Sequence, residues 1–226
     1  MRKEVTHLYE NAFDIIIQVM NIEKDDLKDD DFIERLATIP SKVMTVDIDK
    51  LYNERIKLLY SEIIAFIARI QGGSDTQAYG DTLYDLRDAS RDVVEAVKDI
   101  KHLQKNLLRY LVASNPFIQK EYNAIRQRLA LLLKDLNAIA ADSDNEALLA
   151  LDGVRADLFA DDALAGGSLD NLIRNGSITP EMATSLMNDS SYAHDVAKNL
   201  VNMAKVIFTP TDSMMREVQE SLVLDS

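Results

Sequence analysis

Seven residues on one stretch of this chain could act together on a cation: Asp81, Asp85, Asp88, Asp92, Glu95, Asp99 and His102. They recur at steps of 4, 3, 4, 3, 4 and 3 residues, so an α-helix places them all along a single face. Like charges one turn apart repel by roughly 0.2–0.5 kcal/mol per pair even on a wet surface. Such a face asks for a positive counterpart. Carboxylates on adjacent turns, as in Asp85/Asp88 or Asp88/Asp92, could share one hard divalent cation or bridge two. His102 could add a nitrogen suited to iron or zinc. The competing reading is a solvated acidic face, partly neutralised by Arg87 and Arg91 through neighbours three and four residues away.

Positioning these residues requires long helices, and the sequence marks them clearly. A first helix is predicted over residues 3–21, with Leu8, Phe13, Ile16, Ile17 and Met20 on one side. An acidic turn over 25–31 leads to a short helical turn ending at Ile39-Pro40. The next helix is expected over 46–70, with Leu51, Ile56, Leu59, Ile63, Phe66 and Ile67 inward and Gly72-Gly73 at its end. Ser74 with Gln77 forms a capping-box pattern that opens the ladder helix, which runs to about Ala113. Its core stripe is Leu86, Val93, Val97, Ile100 and Leu107. Arg87, Arg91, Lys98, Lys105 and Arg109 make a basic stripe beside the acids.

The second half uses the same devices. Asn115-Pro116 starts a helix to about Ala141, and Ser143 with Glu146 starts another that pauses at Gly166-Gly167-Ser168. Asn175-Gly176 stops the chain again, and Thr179-Pro180-Glu181 caps a last long helix over 180–208. No period-two strands appear. The expected fold is all-α, with two tandem three-helix bundles over residues 1–113 and 114–226.

An internal repeat supports that division. A shift of 100 residues pairs Leu86 with Leu186, Ser90 with Ser190, Lys98 with Lys198 and Lys105 with Lys205. The ladder then maps onto Glu181, Ser185, Asn188, Tyr192, Asp195, Asn199 and Asn202, all polar. Helical period alone would align the apolar rows; it would not keep the polar stripe and both lysines. Glu181, Asn188, Asp189 and Asp195 are the weaker cation candidates of this half, joining Asp81 and His102.

The bulk numbers narrow the function classes. A net charge of -13 argues against a nucleic-acid surface and against anionic lipid headgroups. With no cysteine, disulfides and thiolate metal sites are excluded, and a cytoplasmic location is expected. Apolar runs such as residues 63–68 are too short to span a bilayer, and residues 1–4 lack the apolar core of a signal peptide. No glycine-rich phosphate loop or Ser/His/Asp pattern supports catalysis, so the chain is expected to be non-enzymatic. Glu4-Val-Thr-His7 has the Glu-x-x-His spacing of ferritin-like di-iron bundles, and Asp99-Ile-Lys-His102 approaches it. That chemistry needs carboxylates facing a buried interior, whereas the acid ladder avoids its own helix's core stripe. His7 and His194 are read as surface or packing histidines, and Met182, Met187 and Met203 as core filler.

Two three-helix repeats with an acidic motif on each third helix resemble the PhoU family. Asp88-Ala-Ser-Arg-Asp92 matches the family's Glu/Asp-x-x-x-Asp motif, and Asp81/Asp85 and Glu95/Asp99 share its spacing. The second motif falls on Ser185-Leu-Met-Asn-Asp189, which keeps the final acid and loses the first. Residues 85–102 and 182–192 are closer still to the PhoU-like cytosolic tail of bacterial sodium/phosphate cotransporters. The resemblance implies a regulator of phosphate uptake and phosphate signalling. It implies Fe, Zn, Mg or Mn on the acidic motifs, chiefly Asp85, Asp88, Asp92, Glu95 and Asp99. Implied partners are a phosphate transporter's membrane domain, a phosphate-signalling protein or a second copy of the chain, with tethering to the inner membrane if it is a transporter tail. A purely structural helical interaction domain stands as the alternative.

Overall fold

In the computed structural model, the described residues are 1–29, 31–38, 45–71, 80–141, 145–160 and 167–209. Among them every regular element is helical, as the periodicity requires. The elements are α1 (Arg2–Val19), a 3₁₀ turn (Lys24–Lys28), α2 (Phe32–Thr38), α3 (Ile48–Leu51), a π-helical turn (Tyr52–Lys57) and α4 (Leu58–Gln71). After them come α5 (Gly80–Leu111), α6 (Pro116–Ala141), α7 (Asn145–Ala160), α8 (Ser168–Arg174) and α9 (Pro180–Phe208). The predicted signals at Ile39-Pro40, Gly72-Gly73, Ser74/Gln77, Ser143 and Gly166 lie outside the described residues.

Helix boundaries follow local chemistry. Asn115 Oδ1 accepts the N–H groups of Phe117 and Ile118 at 3.0 and 3.2 Å, with Pro116 in the first helical position of α6. Thr179 Oγ1 does the same for Met182 N–H at the start of α9. At the end of α8, Gly176 adopts φ +63°, and Ser177 and Gly176 donate back to Leu172 and Ile173. That pair of bonds closes the helix end on its own orphan carbonyls. The same arrangement ends α1, with Asn21 in the left-handed conformation at φ +53°.

One predicted helix is interrupted. Residues expected as a single helix over 46–70 pass through the π-helical turn, whose extra residue resets the phase of the apolar row. Ile56, Ile63 and Ile67 are buried as expected, but Phe66 stays 36% exposed and Leu58 64% exposed. Met187 is also exposed rather than core, whereas Met203 is fully buried.

α1, α4 and α5 touch one another in the first half, as α6, α7 and α9 do in the second. The most extensive helix pairing among the described residues joins the halves: α5 lies along α9. A single continuous core runs from Val5 to Ile207 and includes all five predicted core residues of the ladder helix. The start of α1 and the end of α9 are also joined. Arg2 donates through Nη2 and Nε to the Ile207 carbonyl at 2.9 and 3.2 Å and also to the Thr209 carbonyl, where the C-terminal end of α9 favours a cation.

A second arginine performs this service inside the protein. Arg126 on α6 is almost wholly buried; its Nε and Nη2 donate to the carbonyls of Met20 and Asn21 at 2.8 and 2.9 Å. Burial lowers its pKa, and the aligned carbonyls at the end of α1 supply the negative field it faces. Arg126→Met is expected to leave those buried carbonyls unpaired and cost about 2–3 kcal/mol in urea unfolding. A loss below about 0.5 kcal/mol would mean the clamp contributes nothing.

Candidate functional site

The ladder lies along the α5–α9 contact. Asn202 donates a hydrogen bond to the Asp92 carboxylate, Asp195 approaches Asp99, and the His102 ring stacks on Tyr192 at 5.0 Å between centroids. Seven residues up α5, from Asp92 to Asp99, correspond to seven down α9, from Asn202 to Asp195. Ten up to His102 correspond to ten down to Tyr192. The two helices are antiparallel in one unbroken register. A shift of 100 residues carries Asp92 to Tyr192 and His102 to Asn202, so the pairs Asp92·Asn202 and His102·Tyr192 exchange under it. The two polar stripes therefore face across a local two-fold and form one shared seam.

Its electrostatics vary along its length. Asp88 is half exposed and meets Arg87 at 3.3 Å and Arg91 at 3.8 Å; Glu95 meets Lys98 at 2.7 Å. Asp85 is exposed. These are solvated surface pairs of small energetic weight. Asp92 differs: its side chain is only 16% exposed, and burial raises its pKa while the Asn202 bond and Arg91 hold it down. Asp99 is half-buried and pushed up to about 6, by burial first and then by the charges of Asp195 and Glu95, with His102 and Lys98 opposing. The stripe expected to lie well away from the core thus runs, at its centre, into a half-dry interface.

The remaining candidates scatter. Asp81 is the second residue of α5, and its side chain lies outside the described residues. Glu181 is exposed and pairs with Arg109 at 3.1 Å, which ties the ends of α9 and α5 together. Asn188 is exposed and Asp195 half-buried. Asp189 is 1% exposed and belongs to the core instead of the seam. Its carboxylate accepts hydrogen bonds from the Tyr122 hydroxyl and from Asn106, joining α9 to α6 and α5. Burial raises the Asp189 pKa and both bonds lower it; burial also raises that of Tyr122. Tyr122 packs on Tyr110 at 4.8 Å. His7 sits on the surface beside Glu10 at 3.9 Å, and His194 is exposed. Among the described residues, no three Asp, Glu or His side chains converge as a ready metal cage.

Asp189 is named in the sequence only as a weaker cation candidate, and its partners Tyr122 and Asn106, like Arg126, are not singled out there. A signal existed for Asp189, Tyr122 and Arg126. Asp189 is the acid in the apolar row Leu186, Ala193, Val196 and Leu200, and Tyr122 and Arg126 fall in the row Ile118, Ile125 and Leu129.

Two outcomes follow from these geometries. A carboxyl raised in the folded state opposes folding fully above about pH 6, and that penalty is relieved as pH falls towards the unfolded value near 4. Asp99→Asn is therefore expected to stabilise by on the order of 1 kcal/mol at pH 7.5, after allowance for solvent screening, and by much less at pH 4.5. Equal shifts at both pH values in thermal melts would contradict the assignment. Tyr122→Phe deprives a buried carboxylate of a donor and is expected to destabilise by about 1–3 kcal/mol; an unchanged melting temperature would argue against the bond.

Comparisons with family models, with curated proteins and with solved structures each find no match to this chain.

Proposed function

We propose that this chain is a non-enzymatic regulatory module of phosphate uptake and phosphate signalling. In this reading it consists of two tandem three-helix PhoU-like units and resembles the cytosolic tail of a sodium/phosphate cotransporter. The observation that carries the reading is the seam: the repeated third helices lie antiparallel, with corresponding polar residues matched in register. Its phosphate assignment rests on the motif resemblance at Asp88–Asp92 and across residues 182–192.

The mechanism is linkage. Asp92, Glu95, Asp99 and Asp195 hold negative charge at a half-buried boundary between the halves, so the packing of α5 on α9 carries a standing repulsion at Asp99·Asp195. A divalent cation or a basic partner surface that relieves the repulsion stabilises that packing by its differential affinity. The donors fit a hard cation held by one or two carboxylates with water completing its shell, as Mg²⁺ or Mn²⁺ accept. Iron or zinc would need the imidazole edge of His102, whose ring face is occupied by Tyr192. Among the described residues no helix is long and apolar enough to cross a membrane.

Two measurements test this. Mg²⁺, Mn²⁺, Zn²⁺ or Fe²⁺ is expected to raise the melting temperature by a few degrees, and Asp99→Asn with Asp195→Asn is expected to abolish the rise. In cells, loss of the gene is expected to change the rate of phosphate uptake, with rescue by the wild-type chain and not by the paired variant. Uptake indifferent to both would end the phosphate reading.

A second reading, a structural helical interaction domain, is favoured by the local ion pairs of Asp88 and Glu95, which already neutralise the outer ladder. It predicts no metal response and only stabilisation on removing Asp99.

A further inference from the structure

The turn that closes α8 holds the chain's only Asn-Gly pair, Asn175-Gly176. Such a pair can modify itself without an enzyme. Glycine carries no side chain, so its backbone nitrogen can reach Cγ of the preceding asparagine. That nitrogen gives its proton to base and bonds to Cγ; the Cγ–NH₂ bond breaks, and the amide takes up a proton and leaves as ammonia. Water then adds to either carbonyl of the five-membered succinimide. One opening gives aspartate. The other gives isoaspartate, whose main chain runs through Cβ and is longer by a methylene. The net exchange is water for ammonia, and either product carries a new negative charge.

The pair is open to water and yet held out of reaction. Asn175 and Gly176 are both exposed, and nothing lies within 4 Å of the place a Gly176 Cβ would occupy. Ring closure requires Cβ of Asn175 nearly to eclipse the Gly176 nitrogen about the Cα–C bond. Asn175 instead sits at ψ -1°, which leaves Cβ roughly a third of a turn away. The attacking N–H is also occupied, since it donates to the Ile173 carbonyl at 3.0 Å. Ser177 N–H, bonded to the Leu172 carbonyl at 2.9 Å, resists the rotation that would free it.

The chain just beyond the turn is anchored. The Ser177 carbonyl accepts Asn115 Nδ2 at 2.9 Å, and Asn115 Oδ1 caps the start of α6. Ile178 is buried, and Thr179 caps α9. An added methylene before Gly176 displaces this anchored run, and the new carboxylate stands at the negative end of α8. We propose that Asn175-Gly176 is a self-modification site gated by the closure of α8: unreacted while the closure holds, it cyclises when that end opens, and the isoaspartate product lengthens the link to α9. The inference stands apart from the phosphate reading, since it uses neither the seam nor its acids.

Peptide mass spectrometry of the full chain, incubated in mildly alkaline buffer with and without urea, tests it. The folded chain is expected to deamidate at Asn175 about tenfold or more slowly than the urea-unfolded chain, because local opening must precede attack. Asn115→Asp keeps an oxygen to cap α6 and loses the donor to Ser177. It is expected to raise the folded-state rate several-fold and to leave the unfolded rate unchanged, with thermal melting confirming that the variant is folded. Equal rates in folded and unfolded chains, or no deamidation in either, overturn the proposal. A folded-state rate indifferent to Asn115→Asp overturns it as well.

Discussion

Two acidic helices cannot be laid face to face in a partly dry interface without cost, and this protein is arranged around that constraint. Its halves meet through the helices that carry the matching stripes, α5 and α9. The α9 stripe is mostly neutral oxygen and amide groups: Asn202 answers Asp92, and the register sets Asn199 opposite Glu95. Where both copies keep an acid, at Asp99 and Asp195, the carboxyl of Asp99 is held well above its ordinary range. The difference in charge between the two stripes is thus what lets the two helices pack.

Most of the fold was legible in the sequence because its signals are local. Caps at Asn115 and Thr179, the stop at Asn175-Gly176, and the apolar row of the ladder helix all appear in the structure at the expected residues. The π-helical turn at residues 52–57 was not legible. A one-residue change of phase leaves no composition mark, while Phe66, expected inward, lies beyond the turn at the edge of the buried face. The alignment of the ladder on its own helix was correct. Its relation to the neighbouring helix was not available, since periodicity reports where a side chain points and not what stands there. That is why Asp92 and Asp99, read as solvated, are half-buried.

The buried polar groups illustrate the same boundary. Asp189 and Arg126 interrupt apolar rows, which the sequence displays openly, but their partners lie on other elements. Neither is paired with an opposite formal charge among the contacts described. Asp189 is held by a tyrosine and an amide, Arg126 by backbone carbonyls at a helix end. Such groups penalise any misplacement of α6 relative to α1 and α9, because a shifted helix leaves them buried without partners. They fix which helix lies where, a task that interchangeable leucines and isoleucines do poorly.

The clasp between Arg2 and the carbonyls of Ile207 and Thr209 has a mechanical corollary. Force applied to the backbone at Thr209 would not have to travel back along α9 before it was felt elsewhere. It would load the first turn of α1 directly, so a tug at the end of α9 is delivered to the first half of the protein without passing through the core.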